Sequence, residues 1–143
     1  MNLYGVFIAI ALLGKFLIDL LVEMLNLRSL NPEIPGEMRS FYDPQRYRKS
    51  QEYARAHARL GIAESVFDLA VLFAFWFAGG FNRLDQLVRG FGFNETVAGI
   101  LYLGVLFLAS TMLSIPFSIH ATFVIEEKFG FNRTTPRTFV LDR

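Results

Sequence analysis

The sequence predicts an all-α integral membrane protein: three transmembrane helices, a basic cytoplasmic connector helix and a short interfacial helix. Three observations predict it. From Val97 to Ile125 the chain carries no Asp, Glu, Lys or Arg, and a helix rising 1.5 Å per residue needs only about 20 apolar residues to cross a bilayer core. Two further apolar runs, at about 3–27 and 62–81, repeat the pattern. Hydrophobic residues make up 53% of the chain, with 16 Phe, which is too apolar for an ordinary soluble domain.

The first span, 3–27, is uncharged to Gly14 and is then interrupted by Lys15, Asp19 and Glu23. A cleaved signal peptide needs a basic start and a small-residue cleavage site, and neither is present. The three charges lie four apart, on one helical face. A charge at the bilayer centre costs roughly 2.5–3.5 kcal/mol on insertion scales, so these face protein or water. Two readings stay open: a plain intrahelical pair between Lys15 and Asp19, or the lining of a cavity.

Residues 28–59 are polar and hold Arg28, Arg39, Arg46, Arg48, Lys49, Arg55 and Arg59. Pro32 and Pro35 predict an extended or turning first half, with Asn31 to Arg39 as a solvated loop. Asp43 as N-cap and Pro44 at the first helical position predict a helix onward. Such a basic helix beside a membrane can lie on anionic lipid.

The second span, 62–81, carries Glu64 and Asp68 in its first two turns and ends at Gly79-Gly80. Between Asn82 and Glu95, Leu84, Leu87, Val88 and Phe91 recur at helical spacing, set against Arg83, Asp85, Gln86 and Arg89. That pattern predicts a small helix in the interface. The third span, 97–120, places Ser110, Ser114 and Ser118 on one face, where small hydroxyl residues allow close helix approach and cross-helix hydrogen bonds. Pro116 predicts a kink.

The third span empties into Glu126-Glu127-Lys128-Phe129-Gly130-Phe131-Asn132-Arg133-Thr134-Thr135-Pro136. Gly130 suits a backbone turn with positive φ. Thr134 or Thr135 before Pro136 predicts a helix start near 136, barely two turns before Arg143.

Lys/Arg-rich short loops stay cytoplasmic. The basic connector and the tail with Lys128, Arg133, Arg137 and Arg143 therefore face in, and the N-terminus faces out. Asp19 and Glu23 then precede the cytoplasmic end of span one, and Glu64 and Asp68 follow the cytoplasmic start of span two. Both pairs fall within about 5–15 Å of that surface, and the serines lie in the same half of span three. Two readings follow: a wet cavity open to the cytoplasm, lined by Lys15, Asp19, Glu23, Glu64, Asp68, Ser110, Ser114 and Ser118, or helix–helix adhesion without a cavity.

Net charge is +1, which gives no reason to expect nucleic acid, and the absence of Cys excludes disulfides, thiolate nucleophiles and cysteine metal sites. The two His, His57 and His120, lie far apart and neither sits in H-E-x-x-H, so no zinc site, and no other cofactor site, is expected in this chain. His57 reads as a surface helix residue and His120 as a helix-end hydrogen bonder.

The ordered string from Phe117 to Asp142, with Tyr47-Arg48-Lys49-Ser50-Gln51-Glu52-Tyr53 upstream, closely resembles the N-terminal membrane domain of the polytopic CAAX prenyl zinc endopeptidases. The resemblance covers most of 1–143 and implies one N-terminal transmembrane domain. It also implies a zinc metalloendopeptidase cutting prenylated or other membrane-presented peptides, whose H-E-x-x-H catalytic part lies elsewhere. This portion would shape an intramembrane chamber, hold substrate and contact the catalytic part and the lipid bilayer. Glu126-Glu127 also opens like the E-E-x-x-x-R motif of another CAAX-processing protease family, but the sixth position is Phe131. A charged junction, pairing Glu126, Glu127 and Lys128 with the basic connector or the catalytic part, is the expected role. The alternative is a complete small membrane scaffold or interaction protein without catalysis.

Overall fold

The computed structural model describes residues 3–31, 33–34, 43–132 and 134–141. Most of the expected Asn31–Arg39 loop, including Pro32 and Pro35, lies outside these residues, as do Arg133 and Arg143. The elements are α1 (Leu3–Ser29), α2 (Pro44–Phe77), α3 (Gly80–Arg89), α4 (Glu95–His120), a π-helical turn (Ala121–Glu126) and α5 (Pro136–Leu141). Three of these helices are long and apolar enough to cross a membrane: α1, α2, and α4 with its π-helical extension to Glu126. The protein is an integral, multi-pass membrane protein.

Its surface shows the same thing. The buried apolar set among the described residues is small, while Phe7 and Phe107 are 71% and 72% exposed. Apolar surface on that scale is stable only against hydrocarbon or further protein.

The chain divides into two compact units. One comprises Met1–Ala63 with Ile119–Arg143, and the other Glu64–Ser118. In the first, Asp43 caps α2: its Oδ1 accepts from the Gln45 N–H at 2.9 Å. The connector is not a helix of its own. It forms the first part of α2, which runs 34 residues without a break into the second span. At 1.5 Å per residue that is about 51 Å, well beyond a hydrocarbon core of about 30 Å. Gly61 alone is too weak a breaker to end a helix whose neighbours are good helix formers. Arg55 ties this stretch to the end of α1, donating from Nη2 to the Leu30 carbonyl at 2.8 Å.

In the second unit, α2 stops at Phe77, four residues before the expected end of the span. The stop is Gly79, at φ +73, with its N–H donating to the Trp76 carbonyl at 2.9 Å. Gly80 follows because a Cβ there would lie 2.4 Å from the Phe75 ring. Phe75 packs edge-on against Phe81 of α3, centroids 4.9 Å apart. The turn therefore needs one glycine for its backbone angle and the next for close approach. α3 is amphipathic, with Val88 buried and Arg89 Nε 3.0 Å from Asp85 Oδ1. It begins at Gly80 and ends at Arg89, so Phe91, expected on its apolar face, falls in the following turn. Asn94 opens α4, its Oδ1 accepting from the Val97 N–H at 2.9 Å.

Continuity of α2 is testable at Gly61, where an added Cβ meets nothing within 4 Å. Gly61→Ala is expected to stabilise the protein by about 0.5–1 kcal/mol. Gly61→Pro is expected to destabilise it by about 3 kcal/mol. Thermal unfolding in detergent, followed by helical circular dichroism, checks both. Tolerance of the proline would place a hinge where the structure has a continuous helix.

Candidate functional site

The side chains singled out by the sequence gather most closely in the first unit, where the chain leaves α4. After the π-helical turn, the backbone closes in a Schellman arrangement. The Phe131 N–H donates to the Glu126 carbonyl at 2.8 Å and the Gly130 N–H to the Glu127 carbonyl at 3.0 Å. Gly130 sits at φ +68, the left-handed angle this closure demands. The Asn132 N–H shares the Glu126 carbonyl at 3.2 Å. Orphan carbonyls at the helix end are thereby satisfied.

Asn132 then works in both directions. Its Nδ2 donates to Glu127 Oε2 at 2.9 Å and its Oδ1 accepts from the Thr134 N–H at 2.8 Å. Thr135 is the cap of α5, with Pro136 at its first position. Thr135 and Thr138 bond reciprocally: the Thr135 N–H donates to Thr138 Oγ1 at 2.8 Å, and the Thr138 N–H to Thr135 Oγ1 at 3.3 Å. This is the geometry of a capping box. Phe139 of α5 packs edge-on against Phe123 of the π-helical turn, centroids 5.5 Å apart.

The junction meets the connector part of α2 through rings, not ion pairs. Tyr53 packs edge-on against Phe129 and Phe131, with centroids at 5.6 and 5.0 Å, and lies tilted against His57, with centroids 4.4 Å apart. Lys49 Nζ stands 5.3 Å from the Phe131 centroid. Among the described residues, Glu126, Glu127 and Lys128 form no ion pair with the basic connector. Glu127 bonds Asn132, and Lys128 lies over Phe129 at 5.4 Å. Among the described residues the junction's contact with the connector is aromatic, through Phe129 and Phe131. Tyr53 is the residue the sequence reading undervalued. Its spacing from Lys49 and His57, four residues each way, was the available signal.

His57 departs from its expected place on a helix surface. It is half-buried, and its Nε2 is screened from solvent with no hydrogen-bond partner among the described residues. It borders a crevice of about 380 Å³ with Glu23, Asn26, Leu30, Ala54 and Ala58.

The polar positions on the spans separate. Lys15 and Asp19 form an exposed intrahelical ion pair. Glu23 lines the crevice just described. In the second unit, Asp68 and Ser110 line one cavity of about 640 Å³ bounded by α2, α3 and α4. Ser114 turns its hydroxyl back to the Thr111 carbonyl at 2.9 Å. Glu64, Ser114 and Ser118 lie in the wall of neither cavity. No group of three or more His, Asp or Glu close enough to hold a metal occurs among the described residues.

The chain matches, over residues 23–143, the family described as CAAX prenyl protease N-terminal, five membrane helices. It is 31% identical over 144 residues to a probable CAAX prenyl protease 1 of Schizosaccharomyces pombe, covering 91% of this chain and 30% of that protein. With CAAX prenyl protease 1 of Saccharomyces cerevisiae the identity is 30%, over 77% of this chain and 26% of that protein. The chain thus spans less than a third of these relatives. The crystal structure of S. mikatae Ste24p superposes with a TM-score of 0.85 at 24% identity, covering 99% of this chain and 35% of that one, a likeness of fold.

Two substitutions test the junction. Gly130→Ala is expected to destabilise by about 1–2 kcal/mol through the left-handed angle alone, since the new Cβ would meet only Lys49 Nζ, at 3.7 Å. A double-mutant cycle on Tyr53→Ala and Phe131→Ala is expected to return a coupling of about 0.5–1.5 kcal/mol in thermal unfolding. Additive effects would mean that the rings contribute nothing to each other.

Proposed function

The chain belongs to the CAAX prenyl protease N-terminal family, and from that membership we propose that it is the N-terminal membrane portion of a zinc metalloendopeptidase acting on prenylated or other membrane-presented peptides. The observation that carries the reading is the family match over residues 23–143, with curated prenyl proteases aligned to the same stretch.

In this reading the chain supplies a wall and a clamp. The wall is the set of polar side chains on otherwise apolar helices, Lys15, Asp19, Glu23, Glu64, Asp68, Ser110, Ser114 and Ser118. They border an intramembrane chamber completed by other protein. The clamp is the junction at Tyr53, Phe129, Gly130 and Phe131, which sets the direction of α5 and so aims the polypeptide toward the catalytic part. Zinc, which an H-E-x-x-H helix outside this chain would hold, would supply the activated water. Lys/Arg distribution favours the N-terminus outside and the connector and α5 on the cytoplasmic side.

The test has two arms. The complete gene product, reconstituted in liposomes, is expected to hydrolyse a prenylated CAAX peptide, to lose that activity with a chelator and to regain it with zinc. Single cysteines at positions 19, 68 and 114 are expected to react with a membrane-impermeant thiol reagent. Failure of hydrolysis removes the peptidase reading. Protection at all three positions removes the chamber wall and leaves the clamp standing.

A further inference from the structure

The cavity of about 640 Å³ in the second unit has a composition that the chamber reading does not account for. Its wall is almost wholly apolar, from residues such as Val71, Leu72, Val105 and Leu106. Its volume falls within the range of sites that enclose small ligands, roughly 300–1,000 Å³. Leu87 of α3 also lines it and remains 61% exposed. One end of the wall is cationic: Arg83, from the first turn of α3. The amphipathic pattern of α3 sets Arg83 on the polar side, yet it shares the cavity wall with Leu84 and Leu87.

The two cations of α3 are in different circumstances. Arg89 is neutralised by Asp85, with Nε 3.0 Å from both carboxylate oxygens. The Arg83 backbone N–H donates to the Gly79 carbonyl, but its guanidinium has no hydrogen bond or ion pair among the described residues, and Asp85 on the same helix is taken by Arg89. Asp68, the cavity's carboxylate, lies nine residues before the end of α2, about 13 Å farther along that helix. A guanidinium on an amphipathic helix at the end of a membrane span stands at the depth of lipid headgroups. There its complementary partner is a phosphate, which it binds with two parallel N–H donors.

We propose that the cavity between α2, α3 and α4 is a phospholipid site: the lipid phosphate rests on Arg83 and one acyl chain lies in the apolar cavity, its depth bounded by Asp68 and Ser110. The occupant comes from the bilayer and is bound independently of any substrate. The site therefore stands or falls separately from the peptidase reading.

The test is native mass spectrometry of the complete gene product, stripped of lipid in detergent and titrated with dioleoylphosphatidylglycerol. One lipid is expected to saturate at lower concentration than any others. Arg83→Gln is expected to weaken that step about tenfold or more, in line with the roughly 1.5–3 kcal/mol of a hydrogen bond to a charged group. Arg83→Lys, which keeps the charge but not the paired donors, is expected to fall between the parent and Arg83→Gln. Ala109→Trp, which fills the cavity from α4, is expected to abolish it. Arg89→Gln is expected to leave it unchanged. Inorganic phosphate is expected not to compete, since the acyl chain carries the rest of the affinity. The proposal is overturned if no saturable lipid binds, as when another protein segment fills the cavity. It is equally overturned if Arg83→Gln or Ala109→Trp binds lipid like the parent, or if phosphate alone displaces it. Thermal unfolding of each variant confirms that a lost lipid step is not a lost fold.

Discussion

Inside a bilayer no water is available to a peptide group, so every backbone N–H and C=O must find its partner within the chain. That constraint governs this structure more than any pairwise contact. It makes the three spans helical along their whole length, and it confines departures from helix to places where another donor or acceptor is built in. Gly79 turns the chain where the Trp76 carbonyl can take its N–H. Pro116 removes a donor inside α4, and the helix continues through it and widens into a π-helical turn a few residues later. The side chains follow the same logic at two positions: Thr111 donates to the Phe107 carbonyl and Ser114 to the Thr111 carbonyl, so these two hydroxyls are satisfied within their own helix.

Local hydrogen bonding also distinguishes the polar residues of the spans. Ser114 and Thr111 are spoken for by their own helix. Lys15 and Asp19 are spoken for by each other. Among the described residues, Asp68, Ser110 and Glu23 have no side-chain partner and lie in cavity walls, whereas Glu64 and Ser118 have none either and line neither cavity. Residues alike in sequence thus differ in whether their hydrogen-bonding capacity is used, and that alone does not place them in a wall.

How much was legible in the sequence follows the same division. Apolar length and glycine placement made the three spans and the α3 helix readable, because both act through local backbone physics. Asp43, Thr135 and Pro136 were readable as helix starts for the same reason. The continuity of α2 was not, since a change from polar to apolar composition looks like a boundary while the backbone has no cause to break there. His57 and Tyr53 were misjudged because their surroundings come from distant parts of the chain, the end of α1 and the turn after α4. A polar-looking helix face gives no sign that rings from Phe129 and Phe131 will cover it.

The string that carries the family resemblance reads at first like a chemical motif, with two glutamates, a lysine and an asparagine close together. The structure gives nearly every member a geometric task. The carbonyl of Glu126 takes two N–H groups, Gly130 supplies the left-handed angle, and Phe129 and Phe131 meet Tyr53. Asn132 bridges Glu127 to Thr134, and Thr135 starts the next helix. A turn so specified cannot vary one residue at a time. Each position fixes the conformation that the next one needs, and a substitution at any of them leaves a buried or helix-end group without its partner. Long ordered motifs are expected wherever a chain must leave the membrane in one direction only, and they arise there without any residue touching a substrate. The most recognisable sequence of this chain is therefore explained by backbone geometry and ring packing at the end of α4, with no chemical role required of any residue in it.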